Sequence, residues 1–225
     1  MKRVSNQTAL DFSGTRILTS ESPELEEMLA YAVAWSDNKL SERIARLASV
    51  AAGNTFDQAG VADTFLSALA ELGIESSKMI IKDASGLSKE NRVTANLVGQ
   101  LLVKIRTDER FVPLINGFPI SGISGTLRNR FTETAPDAVG LVKAKTGTLS
   151  NTTNLAGYVE SGDREYAFVI ISDRHLKTYS VASRIRDLID RILGKIAAPF
   201  FQSVQEEPEV ALEPETEITS SEIPL

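Results

Sequence analysis

Lys145, Thr146 and Gly147 stand in line at the end of an apolar run, Leu141-Val142-Lys143-Ala144-Lys145-Thr146-Gly147-Thr148-Leu149. On a strand, side chains alternate in direction, so Lys145 and Gly147 share one face and Thr146 points to the other. A glycine beside a lysine removes the side chain that would block close approach by a ligand. An extended ligand can then pair with the strand backbone by strand addition. The neighbouring ammonium suits an anionic terminus, where a charge-assisted hydrogen bond is worth roughly 1.5–3 kcal/mol. The chemistry is that of holding a peptide C-terminus along a sheet edge. Far upstream, Ser36-Asp37-Asn38 has the residue types of a helix start. Taken singly, neither triplet is specific; their order and placement join them.

Other polar groups offer less. His175, the one histidine, follows a strand in Ser172-Asp173-Arg174-His175. A Ser-His-Asp triad would have to use it, but the chain has no Gly-x-Ser-x-Gly elbow, so His175 reads as a surface loop residue. The absence of cysteine excludes a disulfide or a thiolate metal site, and a single histidine gives little support to metal binding. Asp83 and Asn91, in DASGLSKEN, read as residues that shape a loop at the rim of a site.

The elements that must position these residues are mixed. Ser22 as N-cap, Pro23 at the first helical position and acids in the first turn predict a helix to about Trp35. Further helices are predicted over about Lys39–Ala52 and Ala59–Leu72, the latter stopping at Gly73. Met79-Ile80-Ile81 reads as a short buried strand, and Thr94 as the cap of a helix reaching about Ile105. Strands follow at Leu141–Thr146, Asn154–Glu160 and Glu165–Ser172, with Gly162-Asp163 as a hairpin turn. An amphipathic helix over about Thr178–Ile196 closes the body. SDN therefore falls between two helices and KTG at the end of a strand at the edge of an antiparallel sheet.

Composition limits the alternatives. The formal net charge is −6 over 225 residues, with 24 bases and 30 acids. Seven of those acids and no base lie in residues 204–225, which leaves 23 acids against 24 bases in the first 203 residues. That Pro/Glu-rich tail, without an aromatic residue, reads as a solvating, disordered segment. The near-neutral body gives no electrostatic footprint for nucleic acid. No apolar run approaches the ~18 residues of a membrane span, and no apolar stretch follows Met1-Lys2-Arg3 as a signal peptide would require. The domain expectation is a body over 1–203, helical over about 20–135 and sheet-forming over about 140–196, with the tail over 204–225.

SDN followed by KTG is the signature pair of penicillin-binding proteins and class A β-lactamases. Four further stretches narrow it: SPELEEML before SDN, DASGLSKENRVTA at 83–95, FPISGISGTLRNRF at 118–131 and AKTGTLSNTTNLAGYV at 144–159. On these residues the sequence resembles the D-alanyl-D-alanine carboxypeptidase/endopeptidase family, the class C low-molecular-mass penicillin-binding proteins (peptidase S13-like), over about 15–195. Ala84 stands where that loop usually has glycine, and Ser124 where an acid is common before GTL. The resemblance implies an α/β (α+β) fold of the penicillin-binding/serine β-lactamase type, represented by its helical cluster, last three antiparallel strands and C-terminal helix.

It also implies roles. Ser36 would relay a proton to the leaving amine, Asn38 would bond the substrate's amide carbonyl, and Lys145 and Thr146 would engage a terminal carboxylate and orient Ser36. Gly147 would give the ligand room, and the Thr148 N–H would be one of two oxyanion donors. A twist or bulge at the strand end would be needed to re-aim Thr146. The family's Ser-x-x-Lys nucleophile has no separate match, because the one Ser-x-x-Lys here, Ser36-Asp37-Asn38-Lys39, overlaps SDN. The expectation is therefore the C-terminal half of such an enzyme, without its nucleophile and inert alone, with a separate N-terminal half as partner. The substrate implied is a peptidoglycan stem peptide ending in D-Ala-D-Ala, with β-lactams as inhibitors, no cofactor and an extracytoplasmic location. The alternatives are a non-catalytic wall-peptide or penicillin binding remnant and a β-lactamase or esterase relative.

Overall fold

The computed structural model describes residues 21–197. The acidic 204–225 segment and Met1-Lys2-Arg3 lie outside the described residues. The chain opens with three helices, α1 (Leu25–Trp35), α2 (Asn38–Ala51) and α3 (Gln58–Glu71). The expected cap of α1 is corrected. Glu24 is the N-cap and makes no side-chain capping bond, so Ser22 lies too far up-chain to reach the first-turn N–H groups. Glu26 and Glu27 meet that positive helix end by charge instead. The other starts are side-chain capped. Asp37 accepts from Leu40 N at 2.9 Å, and Asp57 accepts from Gly60 N at 3.0 Å.

Met79-Ile80-Ile81 does not form a strand. Only Ile80 bridges, to Arg92, because the intervening backbone is satisfied by side chains rather than by a ladder. Asp83 accepts from Gly86 N, Ser88 N and Asn91 Nδ2, and Asn91 Oδ1 accepts from Lys82 N. Helix α4 (Ala95–Arg106) follows, capped by Thr94 as expected. A 3₁₀ turn at Glu109–Phe111 leads into the short α5 (Val112–Asn116), and 3₁₀ turns recur at Gly125–Leu127 and Pro136–Ala138.

Strands β1 (Val142–Leu149), β2 (Thr152–Ser161) and β3 (Arg164–Asp173) form an antiparallel meander. Each is a residue or more longer than the alternation alone predicts. Gly162, with φ +62, sits at the first central position of the β2–β3 turn. Helix α6 (Tyr179–Ala197) closes the body.

Both faces of the sheet are packed, by different partners and most fully at β1 and β2. On one, Val142, Ala144, Leu155 and Val159 pack against Ile189 and Leu193 of α6 and against Leu127, Phe131 and Ala138. On the other, Tyr158, Ala156 and Val169 meet Leu102 and Ile105 of α4, Phe118 and Val33 of α1. The buried Asp190 of α6 pins the first layer by pairing with Arg130 and accepting from Phe131 N and Thr134 Oγ1, each at 3.3 Å. Among the described residues, no strand pairs with the outer edge of β3.

Candidate active site

The turn from α1 into α2 presents Ser36. Its φ of 55° and ψ of 47° place it in the left-handed region at the end of α1, with its N–H returned to Ala32 O. A non-glycine residue there costs on the order of 1–3 kcal/mol. The flanking bonds hold it, since Asp37 N also donates to Ala32 O, and Ser41 Oγ donates to Asp37 O at 2.8 Å. Asn38 is then the first residue of α2. Ser36 lies outside that helix, so Ser36-x-x-Lys39 does not form a serine and a lysine one turn apart on a helix. Lys39 is exposed.

Lys145, not Lys39, reaches Ser36. Its Nζ donates to Ser36 Oγ at 2.7 Å and to Thr146 O at 2.9 Å. Burial lowers the amino group from its ordinary value to about 8, because a desolvated ammonium loses hydration that two neutral oxygens do not fully replace.

The backbone of β1 is half covered. Residues 119–121 pair with its outer edge: Ala144 N donates to Pro119 O, Ser121 N donates to Val142 O, and Ile120 bridges Lys143. In an antiparallel strand every second residue turns both its N–H and its C=O to the same side. Val142 and Ala144 face outward, so Thr146 and Thr148 do too. Past Ala144, no strand of the described residues covers that edge. The Thr148 N–H therefore points where an added peptide would lie.

Thr146 behaves differently from the expectation of a re-aimed side chain. The β1–β2 register runs without a bulge from Val142 to Leu149, so Thr146 stays on the face opposite Lys145. Its hydroxyl bonds Thr126 Oγ1 at 2.9 Å. Thr126 belongs to the 3₁₀ turn whose first residue, Gly125, has φ +55. A Cβ there would sit 2.5 Å from Ala34 O. Only glycine allows the turn to close against the end of α1, and so brings Ser36 and the Lys145-Thr146 segment to one seam. Sequence reasoning missed Thr126. Its signal was its place in the GTL of the 118–131 stretch, but no periodicity links positions 126 and 146.

A second missed residue is Glu42, one turn after Asn38 on α2. Its Oε1 accepts from Ala84 N at 2.8 Å and Ser85 N at 2.9 Å, fastening the 83–91 loop to that helix. The loop-shaping bonds of Asp83 and Asn91 are those given above. His175 is half-buried, with Nε2 3.1 Å from Thr153 Oγ1 and Nδ1 2.9 Å from Leu176 O. Among the described residues no serine or aspartate hydrogen-bonds it to complete a triad. Among the described residues no group of His, Cys, Asp and Glu is arranged to hold a metal ion, and no helix is long and apolar enough to cross a membrane.

Mixed helices over a three-stranded antiparallel sheet, with the Lys-Thr-Gly strand at its edge and a Ser-Asp-Asn turn against it, are the α/β architecture of the penicillin-binding fold. Solved structures agree. Penicillin-binding protein 4 (dacB) from Haemophilus influenzae superposes with a TM-score of 0.67 at 27% identity, over 74% of this chain and 40% of that one, in a complex with a novel β-lactam. A model of the D-Ala-D-Ala carboxypeptidase 3 (S13) family matches residues 2–196, and the chain belongs to that family. It is 36% identical over 165 residues to the carboxypeptidase DacB of Mycolicibacterium smegmatis, covering 71% of this chain and 36% of that protein. It is 34% identical over 175 residues to the D-alanyl-D-alanine carboxypeptidase of Actinomadura sp. strain R39, covering 73% and 31%. The chain thus spans about a third of the length of these relatives.

Proposed function

We propose that this chain supplies the peptide-positioning wall of a serine-type D-Ala-D-Ala carboxypeptidase/endopeptidase acting on peptidoglycan stem peptides. The observation that carries the reading is the 2.7 Å bond from Lys145 Nζ to Ser36 Oγ, beside the open stretch of β1. A peptide ending in a carboxylate adds to β1 as a further strand, pairing with the outward groups of Thr148. Lys145 takes the carboxylate, Asn38 donates its carboxamide to the ligand's amide carbonyl, and Gly147 keeps the approach clear. Thr146 acts from the far face, steadied by Thr126.

With an amino group near 8, Lys145 is within reach of both protonation states near neutral pH, as proton exchange with Ser36 requires. In acylation a serine oxygen, its proton taken by the lysine of its own Ser-x-x-Lys segment, attacks the penultimate D-Ala carbonyl carbon, and the developing oxyanion meets the Thr148 N–H. The C–N bond then breaks, Ser36 passes its proton to the leaving amine and recovers one from Lys145. Water hydrolyses the acyl-serine.

We assign the attacking serine to a Ser-x-x-Lys segment that is not among these 225 residues. Its docking surface is the outer edge of β3, which no described strand pairs, with Tyr166 exposed on one face beside it and Ile171 on the other. Loss of such a nucleophile costs on the order of a millionfold in kcat. The reading places the enzyme outside the cytoplasm, with β-lactams as inhibitors. One feature favours a second reading: the single Ser-x-x-Lys is used up by the α1–α2 turn. The same wall would then bind stem peptides without cleaving them.

Mass spectrometry after treatment with a labelled penicillin separates the two. The isolated chain forms no adduct, whereas the chain combined with an N-terminal half from a family member forms one on the partner's serine. Failure of the combination to react favours the binding protein. A stable adduct on Ser36 overturns the division of labour in both readings.

A further inference from the structure

We propose that Asn154 is a ligand-contacting residue of this site, its side-chain amide donating to a carbonyl or carboxylate oxygen of a peptide lying along β1. Asn154 is directly opposite Gly147 in the β1–β2 register. The two residues therefore face the same side of the sheet, the side of Lys145 and Ser36. One bond orients the carboxamide: the Ser172 N–H donates to Oδ1 at 3.2 Å. A backbone N–H can only donate, so its partner is the oxygen, and Oδ1 is turned toward β3. The amide nitrogen is left on the other side, toward β1.

There it meets the space that Gly147 leaves. A Cβ at position 147 would lie 3.4 Å from Asn154 Cβ and 3.5 Å from Nδ2. The amide nitrogen thus lies against Gly147, on the strand whose outer edge past Ala144 no described strand covers. Asn154 is half-buried, and among the described residues no acceptor receives its N–H groups. A donor held by one bond against a strand with an open edge is solvated when the site is empty and needs an acceptor when a ligand displaces that water. Gly147 thus serves two ends, clearing the ligand's approach and giving Asn154 its reach. The chemistry selects a peptide with an oxygen acceptor beside the group that Lys145 binds.

The inference rests on the proposed function, and one experiment separates the two. The full ¹⁵N-labelled chain is titrated with an N-acetylated tripeptide ending in D-Ala-D-Ala, as wild type and as Asn154→Asp, Asn154→Ala and Lys145→Ala. Asn154→Asp keeps an acceptor for Ser172 N–H and removes the donors, while Asn154→Ala removes the donors without adding charge. The expected result is a shift of the Asn154 Nδ2–H resonances on saturation and roughly tenfold weaker binding in both Asn154 variants. Wild-type affinity in both variants with unmoved Nδ2–H resonances overturns the Asn154 contact, and the positioning reading stands if Lys145→Ala binds weakly. Weakening at Asn154 but not at Lys145 keeps the contact and overturns the role of Lys145. A wild-type chain that takes up no peptide at millimolar concentration overturns both.

Discussion

Replacing Lys145 by methionine removes an ammonium from a largely dehydrated position while keeping most of the side chain's length. The structure sets the size and pH dependence of the effect. In the unfolded chain the amino group titrates near its ordinary 10.5; in the folded chain burial brings it to about 8. Below pH 8 both states are protonated, and the native state carries the whole cost of the dehydrated charge. Between 8 and 10.5 the native state releases the proton while the unfolded state still holds it, so stability rises with pH. Above 10.5 both are neutral and the cost is gone. At ~1.36 kcal/mol per pKa unit, the cost is on the order of 3 kcal/mol. Urea unfolding at intervals from pH 6.5 to 10.5 measures it. The difference in unfolding free energy, wild type minus Lys145→Met, should climb by that amount over pH 8–10.5, because the other titrating groups cancel. A difference that stays flat across this range would refute the dehydrated lysine, and with it the proton exchange with Ser36.

Two further outcomes follow from buried polar contacts. Glu42→Ala strips the acceptor shared by Ala84 N and Ser85 N. It should cost about 1–3 kcal/mol and speed hydrogen exchange at those two amides, whereas Glu42→Gln, which keeps an oxygen there, should preserve much of their protection. Equal exchange in all three proteins would mean that the 83–91 loop is held by its internal bonds alone. Asp190→Ala leaves the largely buried Arg130 guanidinium without its carboxylate, with only Arg186 O to receive it, and should destabilise the chain by roughly 3 kcal/mol in urea unfolding. A loss below about 1 kcal/mol would show that α6 is held by Ile189 and Leu193 without the ion pair.

Part of this protein is legible in its residues taken in order. The strand alternation around Lys145, the turn glycine at 162 and the caps at Thr94 and in the Ser36-Asp37-Asn38 turn are local effects. Each depends on a residue and neighbours a few positions away, so pattern and propensity suffice to read them. The pairing of SDN with KTG, more than a hundred residues apart, was legible only through resemblance to a family, since no spacing rule links them. The start of α1 and the supposed strand at Met79–Ile81 went otherwise because side chains competed. Ser22 lies beyond reach of the first turn, and Asp83 and Asn91 satisfy backbone groups that a ladder would have used.

Tertiary structure alone decided the rest. Lys145 bonds Ser36 because Gly125 lets a turn close on Ala34 and brings a helix end to a strand edge. Thr146 stays on the far face because an unbroken register gives it no way around, and Thr126 happens to be waiting there. Asn154 keeps its amide nitrogen against Gly147 because Ser172 holds its oxygen and the glycine leaves the space. These are contacts between segments far apart in sequence. Their geometry depends on how the sheet, α1 and the 118–138 segment pack together, and no stretch of the chain read by itself contains that information.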